Sequence, residues 1–205
     1  VKDLNSGNEN MNHQLRKVHA GILLSIGLLG AAHATYVDGN PLSAIDPEGL
    51  AGCTVAFPDY PIDTGFGFSS TSLGGHDGVL SYDSQGATRY YEFGRYSPNN
   101  SFVIGDRRPE GEGNVRRLPI PDLKIDPRTD QPTLTSLESL QRVLSQRAGH
   151  NTRTELSCDA NADEKKINQY AEDFARNQSR PAYSWKPWSS NQCRDFAKKS
   201  LGAGQ

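Results

Sequence analysis

The stretch Trp188-Ser189-Ser190-Asn191-Gln192-Cys193-Arg194-Asp195-Phe196-Ala197, close to the C-terminus, carries a cysteine where a polar loop turns into a helix. Ser189, Ser190 and Asn191 are residue types that cap helix N-termini, and Phe196, Ala197 and Leu201 recur at helical spacing. A thiol at a helix N-terminus feels the positive end of the helix dipole, which lowers its pKa and favours the nucleophilic thiolate. Backbone N–H groups at the same place lack partners and can hold the oxyanion of a tetrahedral intermediate. Taken alone, the stretch reads equally as a free cysteine half-buried in a terminal helix.

A second stretch, Ser72-Leu73-Gly74-Gly75-His76-Asp77-Gly78-Val79-Leu80-Ser81-Tyr82, supplies what a cysteine nucleophile needs. Glycines precede a histidine, and a strand-like run follows, so the imidazole can be presented to a cleft. A cysteine hydrolase needs such a base to accept and return the thiol proton. His76 to Tyr82 and Thr88 to Phe93 are expected strands joined by the turn Asp83-Ser84-Gln85-Gly86, which makes a hairpin. Alternation puts Tyr90 and Glu92 on one face and Tyr91 and Phe93 on the other. Glu92 is therefore the candidate third member, orienting the His76 ring, with a solvent-facing strand carboxylate as the competing reading.

The chain has 205 residues and a formal net charge of −2, so no basic footprint argues for nucleic acid. A hydrophobic fraction of 35% with 20 Gly and 12 Pro implies a loop-rich domain with a modest core. The three cysteines are Cys53, Cys158 and Cys193. In an exported protein an odd count fits one bridge, Cys53–Cys158, and one reactive thiol, Cys193; in a cytosolic one all three stay reduced. The sequence contains no Cys-x-x-Cys pair, His-Glu-x-x-His, phosphate-loop Lys or Gly-x-Ser-x-Gly. No metal and no cofactor are expected.

Further along, Gly52 to Phe68 reads as loop with short extended pieces, because Pro58, Pro61 and Gly-Phe-Gly-Phe block helix. Ser101–Ile104 and Arg116–Ile120 are expected as short strands. Thr135 is the expected cap of a helix whose stripe is Leu137, Leu140, Val143 and Leu144, with Glu138 at the capping-box position. His150 follows in a turn and stands as an alternative base. Thr152 to Cys158 alternates like a strand. Asp163 or Asn161 opens a helix with Ile167, Tyr170, Ala171 and Phe174 as its stripe. Trp185 and Trp188 serve either the core or a substrate groove.

The N-terminal part divides differently. Residues 1–10 are polar, without periodicity. Met11, Arg16 and Lys17, an apolar run from Ala20 to Ala32, and Ala32-His33-Ala34 follow in the order of a secretory signal peptide. Residues 1–34 are thus expected to be a leader, with an amphipathic helix as the other reading. Tyr36 to Leu50 is a series of turns, and its Pro41, Asp46, Pro47, Gly49 and Leu50 resemble the motif Pro-x4-Asp-Pro-x-Gly-Leu that closes the Rhs-repeat core. That resemblance implies that residues 35–50 are a junction and 51–205 a toxin domain. It further implies delivery by a bacterial secretion apparatus, commonly type VI, and a cognate immunity protein. The Rhs repeats themselves are lacking.

Gly75-His76-Asp77-Gly78-Val79-Leu80 followed much later by Asn191-Gln192-Cys193-Arg194-Asp195-Phe196 resembles the permuted papain-like group, which includes the lecithin:retinol acyltransferase-like, PPPDE and permuted NlpC-type families. The resemblance implies an α+β fold, a small antiparallel sheet packed against helices, with Cys193 as nucleophile and His76 as base. The resulting expectation is a secreted, monomeric antibacterial toxin that hydrolyses amide bonds, with peptidoglycan in the target periplasm as substrate. The alternatives are a protease, deamidase or acyltransferase acting on a cytosolic protein, and a non-enzymatic binding or pore-forming tip.

Overall fold

The structure is a computed structural model and describes residues 51–63, 69–70, 75–184, 186 and 189–205. The leader, the Rhs-like junction, Trp185 and Trp188 lie outside the described residues.

Strand β1 (Ala51–Phe57) corrects the sequence reading, which leaves this segment as loop. Cys53, Val55 and Phe57 alternate and are at most 1% exposed. The helix-blocking prolines that argue against order fall after Phe57, so they end the strand rather than prevent it. Next come the two-residue strands β2 (Ile62–Asp63) and β3 (Ser69–Ser70), which pair with each other. β4 (His76–Tyr82) and β5 (Thr88–Gly94) form the expected hairpin. Its turn is held by the Asp83 carboxylate, which accepts from the Gln85 and Ala87 N–H groups, both at 2.9 Å.

β6 (Asn114–Leu118) starts two residues earlier than the expected strand at Arg116. Ser101–Ile104 does not form a strand and contributes a single bridge, Val103 to Arg116, against the outer edge of β6. β7 (Ile125–Asp126) and β8 (Gln131–Pro132) form a second small ribbon. Helix α1 (Leu134–Arg147) is capped by Thr133, whose side chain accepts from Ser136 N–H, and not by Thr135. β9 (Glu155–Asp159) begins later than expected because Thr152 still belongs to the turn after α1, its N–H bonded to Gly149 O at 2.9 Å. Helix α2 (Glu164–Arg176) has the expected Asp163 cap, accepting from the Lys165 and Lys166 N–H groups. Helix α3 (Cys193–Gly204) closes the chain.

The main sheet is antiparallel throughout, in the order β6-β5-β4-β1-β9. Alternation along its strands divides the core in two. Val55, Phe57, Leu80 and Tyr90 pack with Leu137, Leu140 and Leu144 of α1 on one face. Val79, Tyr91, Phe93 and Val115 pack with Ile167 and Ala171 of α2 and Phe196 and Ala197 of α3 on the other. Burying each of these large side chains contributes roughly 1.5–3 kcal/mol before chain entropy is counted. The architecture is the α+β arrangement expected. Cys53 and Cys158 face each other across β1 and β9 and are joined by a disulfide, while Cys193 is free.

Candidate active site

His76 is the first residue of β4, and Gly75 before it has φ +72°, a left-handed conformation that favours glycine. A Cβ at Gly75 would lie 2.2 Å from the Phe57 carbonyl oxygen, so the chain can enter β4 this closely only without a side chain. The His76 ring stacks on Phe57 at 6.1 Å between centroids and leans on Tyr60 at 5.0 Å. Its Nε2 lies 2.7 Å from Glu92 Oε2 and 3.0 Å from Tyr96 Oη. Nδ1 therefore remains for the thiol.

Glu92 is a carboxylate with 0% exposure, and both its oxygens are hydrogen-bonded. Tyr90 Oη donates to Oε2 at 3.0 Å, and Arg116, its cross-strand partner in β6, donates through Nε to Oε1. The Arg116 guanidinium also lies over the Tyr96 ring, 4.0 Å from its centroid. Burial alone would raise the Glu92 pKa, but the His76 and Arg116 charges outweigh it and hold the carboxyl below its ordinary value. Gly78, opposite Glu92 in the hairpin, leaves room for the Tyr90 hydroxyl; a Cβ there would meet Tyr90 Oη at 2.3 Å.

Cys193 is the first residue of α3 and is 6% exposed. The expected caps Ser189, Ser190 and Asn191 do not cap the helix: Gln192 does, its N–H bonded to the Asp195 carboxylate at 3.1 Å. Asn191 instead pins the approach to the helix, donating through Nδ2 to the carbonyls of Pro181, at 2.8 Å, and Ala182. The helix is braced against β4 by Arg194, whose Nε donates to Asp77 Oδ2 at 2.9 Å. Consecutive residues of β4 thus meet consecutive residues of α3, Asp77 with Arg194 and His76 with Cys193.

The Cys193 sulfur lies beside the His76 ring and the Asp77 backbone N–H, close enough for both to act on its ionisation. Burial pushes the thiol pKa up, yet the imidazole outweighs it and the net direction is down. For His76, burial pushes the pKa down, but the charge of Glu92 and the bond to Cys193 bring it well above 6.5. Both directions favour a thiolate–imidazolium pair. Tyr183 also lies beside the sulfur, and burial together with that sulfur holds its hydroxyl well above the ordinary tyrosine pKa.

His76, Tyr96 and Tyr183 line a cleft of about 490 Å³ together with Tyr60, Arg95 and Glu110, among others. A more open groove of about 670 Å³ on α2 is lined by lysines, Tyr170 and Phe174 and contains neither a thiol nor an imidazole. The structure therefore brings Cys193, His76 and Glu92 together. His150, the alternative base, lies against Tyr60 at 4.7 Å between rings and takes no part in the thiol contacts. Tyr96, Arg116 and Tyr183 escape the sequence reading. The Glu92–Arg116 pairing becomes visible only once the β5–β6 register is known.

Residues 53–205 match the family model described as type VI secretion system effector TseH-like. Among solved structures, the crystal structure of the type VI secretion system effector TseH is similar in fold, with a TM-score of 0.60 and 24% identity over 78% of each chain. No curated protein matches the sequence.

Proposed function

The chain belongs to the TseH-like family of type VI secretion system effectors, and from this we propose that it is a cysteine amide hydrolase acting on peptidoglycan. One observation carries the proposal: the thiol at the N-terminus of α3 touches an imidazole whose Nε2 is held by the buried carboxylate Glu92. The resemblance to permuted papain-like enzymes agrees with it. As a type VI effector the protein leaves the producing cell through the secretion apparatus. A cognate immunity protein that covers the cleft is the partner such a toxin requires.

In the mechanism, the Cys193 thiolate attacks the carbonyl carbon of the scissile amide and forms a C–S bond, and the carbonyl π electrons move to oxygen. The Cys193 N–H, at the first helical position and without a partner among the described residues, and the Tyr183 hydroxyl hold that oxyanion. On collapse the C–N bond breaks, and the His76 imidazolium gives its proton to the departing amine. Neutral His76 then takes a proton from water, which attacks the thioester; the acid product leaves and the thiolate returns. Glu92 keeps the ring oriented and stabilises its charge throughout.

We take residues 51–205 as the toxin domain and 35–50 as its junction. In support, β1 begins directly after Leu50 and the family match begins at Cys53. The Cys53–Cys158 disulfide suits an oxidising compartment such as the periplasm.

The test is growth of bacteria expressing the wild type or Cys193→Ala, each directed to the cytoplasm or to the periplasm. Toxicity in the periplasm that requires Cys193 is the expected result. Toxicity in the cytoplasm alone would instead mean a cytosolic protein substrate, and an equally toxic Cys193→Ala would mean a binding or pore-forming tip.

A further inference from the structure

From Asn177 to Ser184 the chain has no regular helix or strand, yet it carries Tyr183 to the cleft beside His76. The carbonyls of this strap are held one by one. Arg108 donates through Nη1 to Arg180 O at 2.8 Å, and Asn191 donates through Nδ2 to Pro181 O at 2.8 Å and to Ala182 O. The Tyr183 N–H then donates to Glu112 O at 2.8 Å. Gly113, at φ +83°, leaves space for the tyrosine, since a Cβ there would lie 2.5 Å from Tyr183 Cβ.

The Arg180 side chain is 0% exposed. Its Nη1 donates to Ala175 O in the last turn of α2 at 2.8 Å, and its Nη2 to Asp106 O at 2.7 Å and Gly113 O at 3.3 Å. One guanidinium thus ties the end of α2 to both ends of the 106–113 loop, the loop that accepts the Tyr183 N–H. Such burial costs stability. Among the described residues its ion-pair partner is the half-buried Asp106 carboxylate, 3.7 Å from Nη1, and its Nε is buried without a hydrogen-bond partner. An apolar side chain of similar volume would join the same segments at less cost. It would lack direction, whereas a planar fork fixes several carbonyls in one geometry.

We propose that Arg180 is a positioning residue, whose fork fixes the frame in which the Tyr183 hydroxyl stands against the Cys193 sulfur. Its effect on turnover rests on the hydrolase reading above; the placement of the hydroxyl does not.

The test follows two quantities in the 205-residue chain: the pH midpoint for alkylation of the free Cys193 by iodoacetamide, and the rate of sacculus digestion. His76 and Asp77 also act on that sulfur and are the same in every variant. Tyr183→Phe removes a donor to the thiolate, so it should raise the midpoint by about one pH unit and slow digestion about tenfold. Arg180→Met should reproduce both effects, and Arg180→Lys, which keeps the charge without the fork, should reproduce them in part. Neither should add anything to Tyr183→Phe. Where Arg180→Met does not fold, Arg108→Gln, which releases Arg180 O from the other side, should show the same dependence on Tyr183. Effects that add to those of Tyr183→Phe, or lowered thermal stability with midpoint and rate unchanged, would overturn the assignment. So would a midpoint that Tyr183→Phe leaves in place. A midpoint shift in Arg180→Lys that requires Tyr183, with sacculi left intact by the wild type, would sink the hydrolase reading alone.

Discussion

At the scale of single residues, the site sets two opposed shifts against burial. The Cys193 pKa is lowered and the His76 pKa raised, so the ion pair exists between the two. Activity should therefore rise through a limb below the ordinary thiol value of about 8.5 and fall through one above the ordinary imidazole value of about 6.5. Glu92 charge is the foremost influence raising the His76 pKa. Glu92→Gln should move the falling limb to lower pH and cut kcat/KM by roughly 10- to 100-fold, readable from a pH–rate profile. Linkage adds a stability signature. A group with a raised folded pKa stabilises fully below its unfolded value and loses that contribution as pH rises through the folded one. Cys193, with its lowered pKa, gives the opposite slope up to the ordinary thiol value, so the thermal midpoint of the wild type should fall above about pH 8.5, and that slope should flatten in Glu92→Gln. Cys193 and His76 were legible in the sequence because each sits beside strong local signals, a loop-to-helix turn and a glycine-flanked strand start. Tyr183 and Arg116 were not, because nothing local in their segments points to a sulfur or a carboxylate far away in the chain.

At the scale of elements, periodicity located the helices and the hairpin, and local chemistry misplaced some of their ends. Thr133 and Thr135 are equally good caps on paper, and only the α1 backbone selects Thr133. β1 was missed because its turn-rich continuation, with Pro58 and Pro61, outweighed five or so residues of alternation; its pairing with β4 and β9 stabilises it. Of the hairpin residues, Gly78 is the most exacting. Gly78→Ala should drive the Tyr90 hydroxyl off Glu92, destabilise the fold by about 1–3 kcal/mol and lower kcat even where the protein remains folded. Denaturant titration and kinetics on the same preparation check both effects.

At the scale of the whole molecule, a covalent tie joins β1 to the neighbouring edge strand β9, across a sequence separation of 105 residues. Cysteine count suggested the pairing under an export assumption, and strand register supplies its physical basis, since Cys53 and Cys158 are direct neighbours. Cys158→Ala should lower stability by about 2–4 kcal/mol, and reductant should bring the wild type to the same midpoint without touching Cys193 chemistry. The α+β class was legible from the spacing of strands and helices. The meeting of β4 with α3 was reached through a resemblance, because no local pattern specifies a contact between residues 76 and 193.

Digestion of purified sacculi by the 205-residue chain tests the hydrolase site most directly. The wild type should release fragments with new amino termini in the stem peptides, while Cys193→Ala and His76→Ala release none. Identical fragments from Cys193→Ala, or intact sacculi with the wild type, would contradict it.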